Sequence, residues 1–134
     1  MLTAREILCA LVAGILVGGG WWAFMDGVFY APDVMPWIHI LPPVGATVGF
    51  IALNVITLDV MTAHAAARVW AFASLTLLGV SIGGAIWITT SEYPADDNWP
   101  GVAIIVQALL LLVGAILFFI GRSTHLGREG KMSF

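Results

Sequence analysis

The sequence predicts an all-α polytopic membrane protein with four transmembrane helices in a compact bundle. Of its 134 residues, 60% are hydrophobic and only 10% are charged, and the mean hydropathy is +1.01. The charges leave four uncharged stretches of 19 residues or more, at 7–25, 34–58, 69–91 and 98–121. A helix of that length covers about 28 Å, which matches a hydrocarbon core of roughly 30 Å. Four such spans leave no room for a soluble catalytic or nucleic-acid-binding domain.

The first span is predicted at about 6–29. Its apolar run is longer than the roughly 7 to 15 residues of a signal-peptide core, and no small-residue cleavage site follows it, so we expect it to remain as a helix. It contains Gly14-x-x-x-Gly18, a spacing that places two small residues on one helix face. In lipid, such a face lets the backbone of a neighbouring helix approach closely.

The second and third spans are predicted at about 43–61 and 68–90. The second follows Pro42 and Pro43, whose missing amides are tolerated in the first turn of a helix. Both spans repeat the small-residue spacing of the first, at Gly45, Gly49, Gly79 and Gly83. We expect all six glycines to pack helices together, either within the chain or against a partner.

The fourth span is predicted at about 99–121, where Trp99-Pro100-Gly101 forms a cap-like start. A cytosolic tail at 122–134 follows it. With this span, residues 1–134 form a single four-span membrane domain.

The placement of the charges predicts the orientation. The five basic residues lie in the N-terminal stub, the second connection and the tail, and they are Arg5, Arg68, Arg122, Arg128 and Lys131. The first and third connections carry acidic residues instead, namely Asp26, Asp33, Glu92, Asp96 and Asp97. Short loops rich in Lys and Arg stay cytoplasmic, so both termini are predicted to be cytosolic.

The positions of the tryptophans support the same orientation, because amphipathic rings prefer the depth of the lipid headgroups. Five of the six tryptophans gather near the predicted lumenal interface, and Trp70 lies at the cytosolic one. We interpret seven residues as interfacial: Trp21, Trp22, Asp26, Arg68, Trp70, Trp87 and Arg122. For Asp26 the alternatives are a simple charge at a helix end and a specific polar contact that fixes the lumenal loops.

Polar residues at membrane depth are the usual functional candidates, because each must be satisfied inside the protein or face water. Asn54 in span 2 and Gln107 in span 4 lie near mid-span, and no Asp, Glu, Lys or Arg does. The lack of an ionisable residue there argues against an ion-coupled pump. Interhelical hydrogen bonds are the favoured role for both amides, and lining a substrate path is the alternative.

The residue types that carry metal and nucleophilic chemistry are scarce and scattered. His39 is predicted on the lumenal side, whereas His64 and His125 are predicted on the cytosolic side, and no pair of ligands has a zinc-like spacing. No histidine lies where it could activate Cys9 or a serine within a span. The sequence therefore predicts no enzyme, no catalytic residue, no metal and no cofactor. Cys9 is interpreted as a buried small residue, with acylation as the alternative.

Several short elements closely resemble the transmembrane protein 50 family, which includes a fungal vacuolar-sorting membrane protein. The resemblance covers about 13–122 and is carried by Ala13-Gly14, Gly20-Trp21-Trp22, Asp26, Asn54, Ala67-Arg68-Val69-Trp70-Ala71-Phe72, Trp87-Ile88, Pro100-Gly101-Val102-Ala103, Gln107 and Gly121-Arg122. It implies a four-span endomembrane protein, of late endosome or Golgi, without known enzymatic chemistry. It also implies a partner of the leptin-receptor-overlapping-transcript type, a second small four-span protein.

Two classes of function follow from these observations. The favoured one is a non-catalytic scaffold or partner subunit in transport from late endosome to vacuole or lysosome. Such a protein lies in the lipid bilayer and binds other membrane proteins, and it does not bind nucleic acid. The alternatives are an accessory subunit of a larger membrane complex and a small transporter or lipid-handling protein with a polar path past Asn54 and Gln107.

Overall fold

The computed structural model describes residues 4–30, 36–93, 95–96 and 98–132, without the side chains of Leu58 and of residues 122–132. The helices are α1 (Ala4–Tyr30), α2 (Leu41–Val55), α3 (Leu58–Ala63), α4 (Ala65–Glu92) and α5 (Trp99–Met132), and a 3-10 turn (Trp37–Ile40) precedes α2. Four segments are long and apolar enough to cross a membrane, at Ala4–Tyr30, Trp37–Val55, Ala65–Glu92 and Trp99–Gly121. The predicted all-α fold with four potential spans is confirmed.

The second span differs most from its predicted bounds of 43–61. Pro42 and Pro43 lie inside the first turn of α2, where the amide that proline lacks has no intrahelical acceptor, so the helix starts before them. The helix ends at Val55 because Thr57 is extended and caps the next helix, its Oγ1 accepting a hydrogen bond of 3.4 Å from the amide of Val60. Asp59 therefore lies in the short α3 and not in the span.

The region predicted as a cytosolic tail, 122–134, begins as a continuation of α5. The helix runs without a break through Gly121 to Met132. Glycine weakens a helix, but the two glycines beyond Gly121, at positions 127 and 130, do not end this one. The membrane-crossing part is Trp99–Gly121, which agrees with the predicted span.

Helix α5 holds the bundle together. α1 packs mainly on α5, α2 packs on α4, and α5 also contacts both α4 and α2. The inward face of α5 carries small and aliphatic residues one or two turns apart, all with no exposed surface, at Ala103, Ile104, Ala108, Leu111 and Ala115. Small side chains at this spacing let three helices approach α5 closely, which accounts for its central position.

The two ends of the bundle differ in charge. At one end, which we call the acidic end, α1 and α4 finish and α2 and α5 begin, and Asp26, Glu92 and Asp96 lie there. At the other, the basic end, lie Arg5 and Arg68. The acidic end therefore carries no Lys or Arg among the described residues, whereas the basic end carries these two arginines together with Glu6 and Asp59.

Candidate functional site at the acidic end

A groove opens between α2 and α4 at the acidic end and has a volume of about 460 Å³. The 3-10 turn contributes Ile38 and His39, α2 contributes its first turns, and α4 contributes a stripe from Leu77 to Glu92. Gly45 and Gly84 face each other's helices here: a Cβ on Gly84 would lie 3.7 Å from Cγ of Pro42. The missing side chain of Gly84 leaves space in the groove, whereas at Gly45 the helices are in close contact, because a Cβ there would lie 2.6 Å from Oγ of Ser81.

The polar groups of the groove lie at its acidic-end mouth. His39 is 4% exposed, and its Nδ1 makes a hydrogen bond of 2.9 Å with the hydroxyl of Tyr93, which is 7% exposed. The two rings are tilted, with centroids 5.5 Å apart. Burial, together with the nearby charge of Glu92, raises the pKa of the Tyr93 phenol, so the hydroxyl is protonated at neutral pH and donates to Nδ1 in the His39 tautomer that carries its proton on Nε2.

The deep part of the groove is apolar. Ser81 is its polar exception, and that hydroxyl donates to the carbonyl of Leu77 at 2.8 Å. Four other hydroxyls of α4 donate in the same way to carbonyls three or four residues earlier, and they belong to Ser74, Thr76, Thr89 and Thr90. This local pairing satisfies the hydroxyl protons of these residues within α4 itself.

Asp26 makes a specific contact at the acidic end. Its Oδ2 accepts a hydrogen bond of 2.8 Å from Nε1 of Trp99, which joins the end of α1 to the start of α5. Of the two readings of Asp26, the structure thus shows the specific polar contact. The indole N–H needs an acceptor at this depth, and a carboxylate makes the bond charge-assisted.

We predict that Trp99→Phe lowers stability by about 1 kcal/mol, because it removes this hydrogen bond and leaves the ring in place. The effect is modest because the contact is exposed to solvent. The matched control is Trp22→Phe, since Trp22 is 78% exposed on α1 near the same end. Thermal melting of the detergent-solubilised variants measures the difference, and equal melting temperatures would contradict a stabilising role for the Asp26 contact.

A second polar cluster lies deeper, where α1, α2 and α5 meet. The carbonyl of Pro43 accepts hydrogen bonds from the hydroxyl of Thr47 at 2.9 Å and from Nε2 of Gln107 at 3.4 Å. Trp21 donates to the Thr47 hydroxyl at 3.1 Å, so it is half-buried inside the bundle and not only an interfacial ring. Gln107 is completely buried, and its Oε1 accepts no hydrogen bond from the described residues. Asn54 instead satisfies the carbonyl of Phe50 in its own helix, at 2.9 Å.

The six glycines predicted to pack helices divide into two groups. Gly45 and Gly49 pack inside the bundle, where a Cβ would lie 2.6 Å from Oγ of Ser81 and 2.8 Å from Cγ of Leu78. Four others have no atom of the described residues within 4 Å of such a Cβ, and they are Gly14, Gly18, Gly79 and Gly83. These four therefore do not pack against another helix of the described residues, because the faces that carry them turn away from the bundle. Contact with a partner stays a prediction for them.

The remaining residues predicted to be interfacial are found near the bundle ends. Trp22 and Trp87 are largely exposed at the acidic end. At the basic end, Trp70 donates to the carbonyl of Ala52 at 2.7 Å and Arg68 donates to that of Thr62 at 3.2 Å. The side chain of Arg122 lies outside the described residues.

Sequence reasoning missed the residues that shape the groove. From the sequence, His39 is considered only as a possible metal ligand and Glu92 only as a charge of the third connection, and neither Tyr93 nor Gly84 is assigned a role. The available signal was the joint presence of a histidine before one span and an acidic-aromatic pair after another. Among the described residues, no three His, Cys, Asp or Glu side chains come together as a metal site.

The four apolar helices, with their charges and most of their tryptophans at the ends, define a multi-span α-helical membrane protein. The chain belongs to the Uncharacterised protein family (UPF0220), whose model matches residues 1–125. It is 30% identical to the Transmembrane protein 50 homolog of Dictyostelium discoideum, over 86% of this chain and 88% of that protein. The resemblance to the transmembrane protein 50 family is therefore confirmed. No solved structure matches the chain.

Proposed function

We propose that the protein is a non-catalytic membrane scaffold, or partner subunit, in transport from late endosome to vacuole or lysosome. In this proposal both termini and the basic end face the cytosol. The distribution of charge between the two ends supports the orientation. The resemblance of the sequence to the transmembrane protein 50 family supports the transport pathway.

One observation carries the scaffold role. Gly14 and Gly18 on α1, and Gly79 and Gly83 on α4, contact nothing in the described chain, although glycine inside a helix costs roughly 0.5–1 kcal/mol relative to alanine. The other glycines of the spans, with the exception of Gly19, have a neighbour within 4 Å of their Cβ position. Small residues on a lipid-facing surface let a second membrane helix approach, and this contact would offset their cost.

Each of these two glycine pairs lies within a continuous apolar face of its helix. On α1 that face includes Leu11, Ile15 and Trp22, which are 60%, 71% and 78% exposed. On α4 it includes Phe72, Leu75 and Ile86. Large side chains beside small ones offer ridges and gaps into which a partner helix can pack. A second small multi-span protein of the leptin-receptor-overlapping-transcript type is the partner that the resemblance favours, and a larger membrane complex is the alternative.

The test is co-purification with that partner from the same organism, expressed together with the tagged protein and extracted in mild detergent. We expect the double variant Gly79→Leu with Gly83→Leu to lower recovery of the partner by about tenfold, the effect of losing roughly 1.4 kcal/mol. Gly14→Leu with Gly18→Leu tests the α1 face in the same way. The control is Ala73→Leu, which adds bulk at an exposed α4 position outside the glycine face. Unchanged recovery in both double variants, with unchanged helix content, would contradict the proposal.

A further inference from the structure

We propose that the groove between α2 and α4 binds one zwitterionic phospholipid, with its ammonium headgroup at Glu92 and an acyl chain along α4 toward Leu77. This site goes beyond the scaffold role, because the groove and the outward glycines lie on different faces of α4.

The dimensions of the groove fit one acyl chain of a lipid, and the second chain would remain in the surrounding bilayer. The stripe from Leu77 to Glu92 covers 16 residues of helix, about 22 Å from end to end, and one leaflet with its headgroups is about 20–22 Å thick. The volume of about 460 Å³ lies in the range of small-molecule sites.

The groove is apolar at one end and polar at the other, as the acyl chain and the headgroup of a lipid require. Its deep end is apolar, because Ser81 already donates to Leu77, and its polar groups lie at the acidic-end mouth. There Tyr93 engages Nδ1 of His39, so Nε2 is the ring nitrogen left to face a ligand. With the phenol as donor, neutral His39 carries its proton on Nε2 and can donate it to a phosphate oxygen.

Charge selects the headgroup. The described part of the acidic end carries Asp26, Glu92 and Asp96 and no Lys or Arg, so an anionic headgroup would be repelled. An ammonium group at the mouth meets the Glu92 carboxylate and the exposed indole of Trp87, which can provide a cation-π contact. A phosphate between them reaches His39. A zwitterionic phospholipid supplies both groups at once.

The test measures lipid retention by native mass spectrometry on the full-length protein in mild detergent. The protein is incubated with equal amounts of phosphatidylcholine and phosphatidylglycerol that have the same acyl chains, so only the headgroup differs. We expect one retained phosphatidylcholine, preferred over phosphatidylglycerol by about tenfold. Glu92→Gln should lower this preference about threefold, as expected for a partly exposed ion pair, whereas Asp96→Asn should leave it unchanged because Asp96 does not line the groove.

A second pair of variants tests the acyl-chain part of the groove. Gly84→Leu fills the groove, so it should lower retention of either lipid about tenfold. The variant is expected to fold, because a Cβ at this position makes only an ordinary contact with Pro42. Gly83→Leu adds the same bulk on the outward face and should retain lipid like the unmodified protein. Glu92 is exposed, so its substitution tests the headgroup site even if Gly84→Leu fails to fold.

These variants also separate the lipid site from the scaffold. Gly83→Leu, combined with Gly79→Leu, is expected to lose the protein partner and keep the lipid. Gly84→Leu is expected to do the reverse. Equal retention of the two lipids by the unmodified protein, or full retention by Gly84→Leu, would overturn the lipid site without affecting the scaffold proposal.

Discussion

Replacing Gly20 with leucine is expected to lower the melting temperature of the detergent-solubilised protein by about 10 °C, the result of losing about 2–3 kcal/mol. A Cβ at Gly20 would lie 3.2 Å from the carbonyl oxygen of Gln107, 3.4 Å from its Cα and 3.1 Å from Cδ1 of Leu111. The Leu111 methyl can rotate, but the backbone of α5 cannot move without moving the helix. A leucine therefore separates α1 from α5, its main packing partner.

The matched control for this prediction is Gly19→Leu. Gly19 is the neighbouring residue, yet no atom of the described residues lies within 4 Å of its Cβ position. Leucine also favours helix more than glycine by about 0.8 kcal/mol, so this variant should melt at the same temperature or slightly higher. Thermal melts followed by helical circular dichroism compare the two, and equal losses would show that α1 is not held by α5 in the way described.

The contrast between Gly19 and Gly20 illustrates what the sequence can predict about this fold. Hydrophobicity marks four spans because charges are scarce between the loops. It does not mark which face of a span turns inward, because lipid is as apolar as the protein interior. On α1 the buried face carries Ala13, Gly20 and Phe24, whereas Gly14 and Gly18 lie among exposed aliphatic residues. Both faces combine small and large apolar residues, so the small-residue pattern alone does not identify the face that packs within the bundle.

The candidate site was unpredictable for a related reason. The groove depends on His39 meeting Tyr93, which lies 54 residues later, and on a helix break after Val55 that shifts the second span toward the acidic end. The contact between Asp26 and Trp99 likewise joins residues 73 positions apart. The sequence placed each of these residues near one membrane surface from charge and aromatic position, but it contained no information on which of them touch.

Substitutions of Gln107 distinguish a closed helical bundle from the transporter alternative, in which a polar path passes this residue. Gln107 is completely buried, and of its two polar atoms only Nε2 has a partner, the carbonyl of Pro43 at 3.4 Å. This bond is long, so it contributes little to stability. We expect Gln107→Met, which keeps the length of the side chain and removes the polar group, to stay within about 1 kcal/mol of the unmodified protein or to exceed its stability.

Gln107→Glu is expected to have the opposite and much larger effect. The shape is preserved, but at a position with no exposed surface the carboxyl group must either face the Pro43 carbonyl oxygen as an ion or take up a proton at neutral pH, and both cost free energy. Placing a carboxylate at the centre of a membrane helix costs about 3 kcal/mol, so the variant should lose folded protein in detergent and melt far below Gln107→Met at neutral pH. A water-filled path past Gln107 would hydrate the carboxylate and remove this penalty. Equal stability of the Glu and Met variants would therefore contradict the closed bundle and favour the transporter, whereas the expected gap assigns Gln107 to the packed junction of α1, α2 and α5.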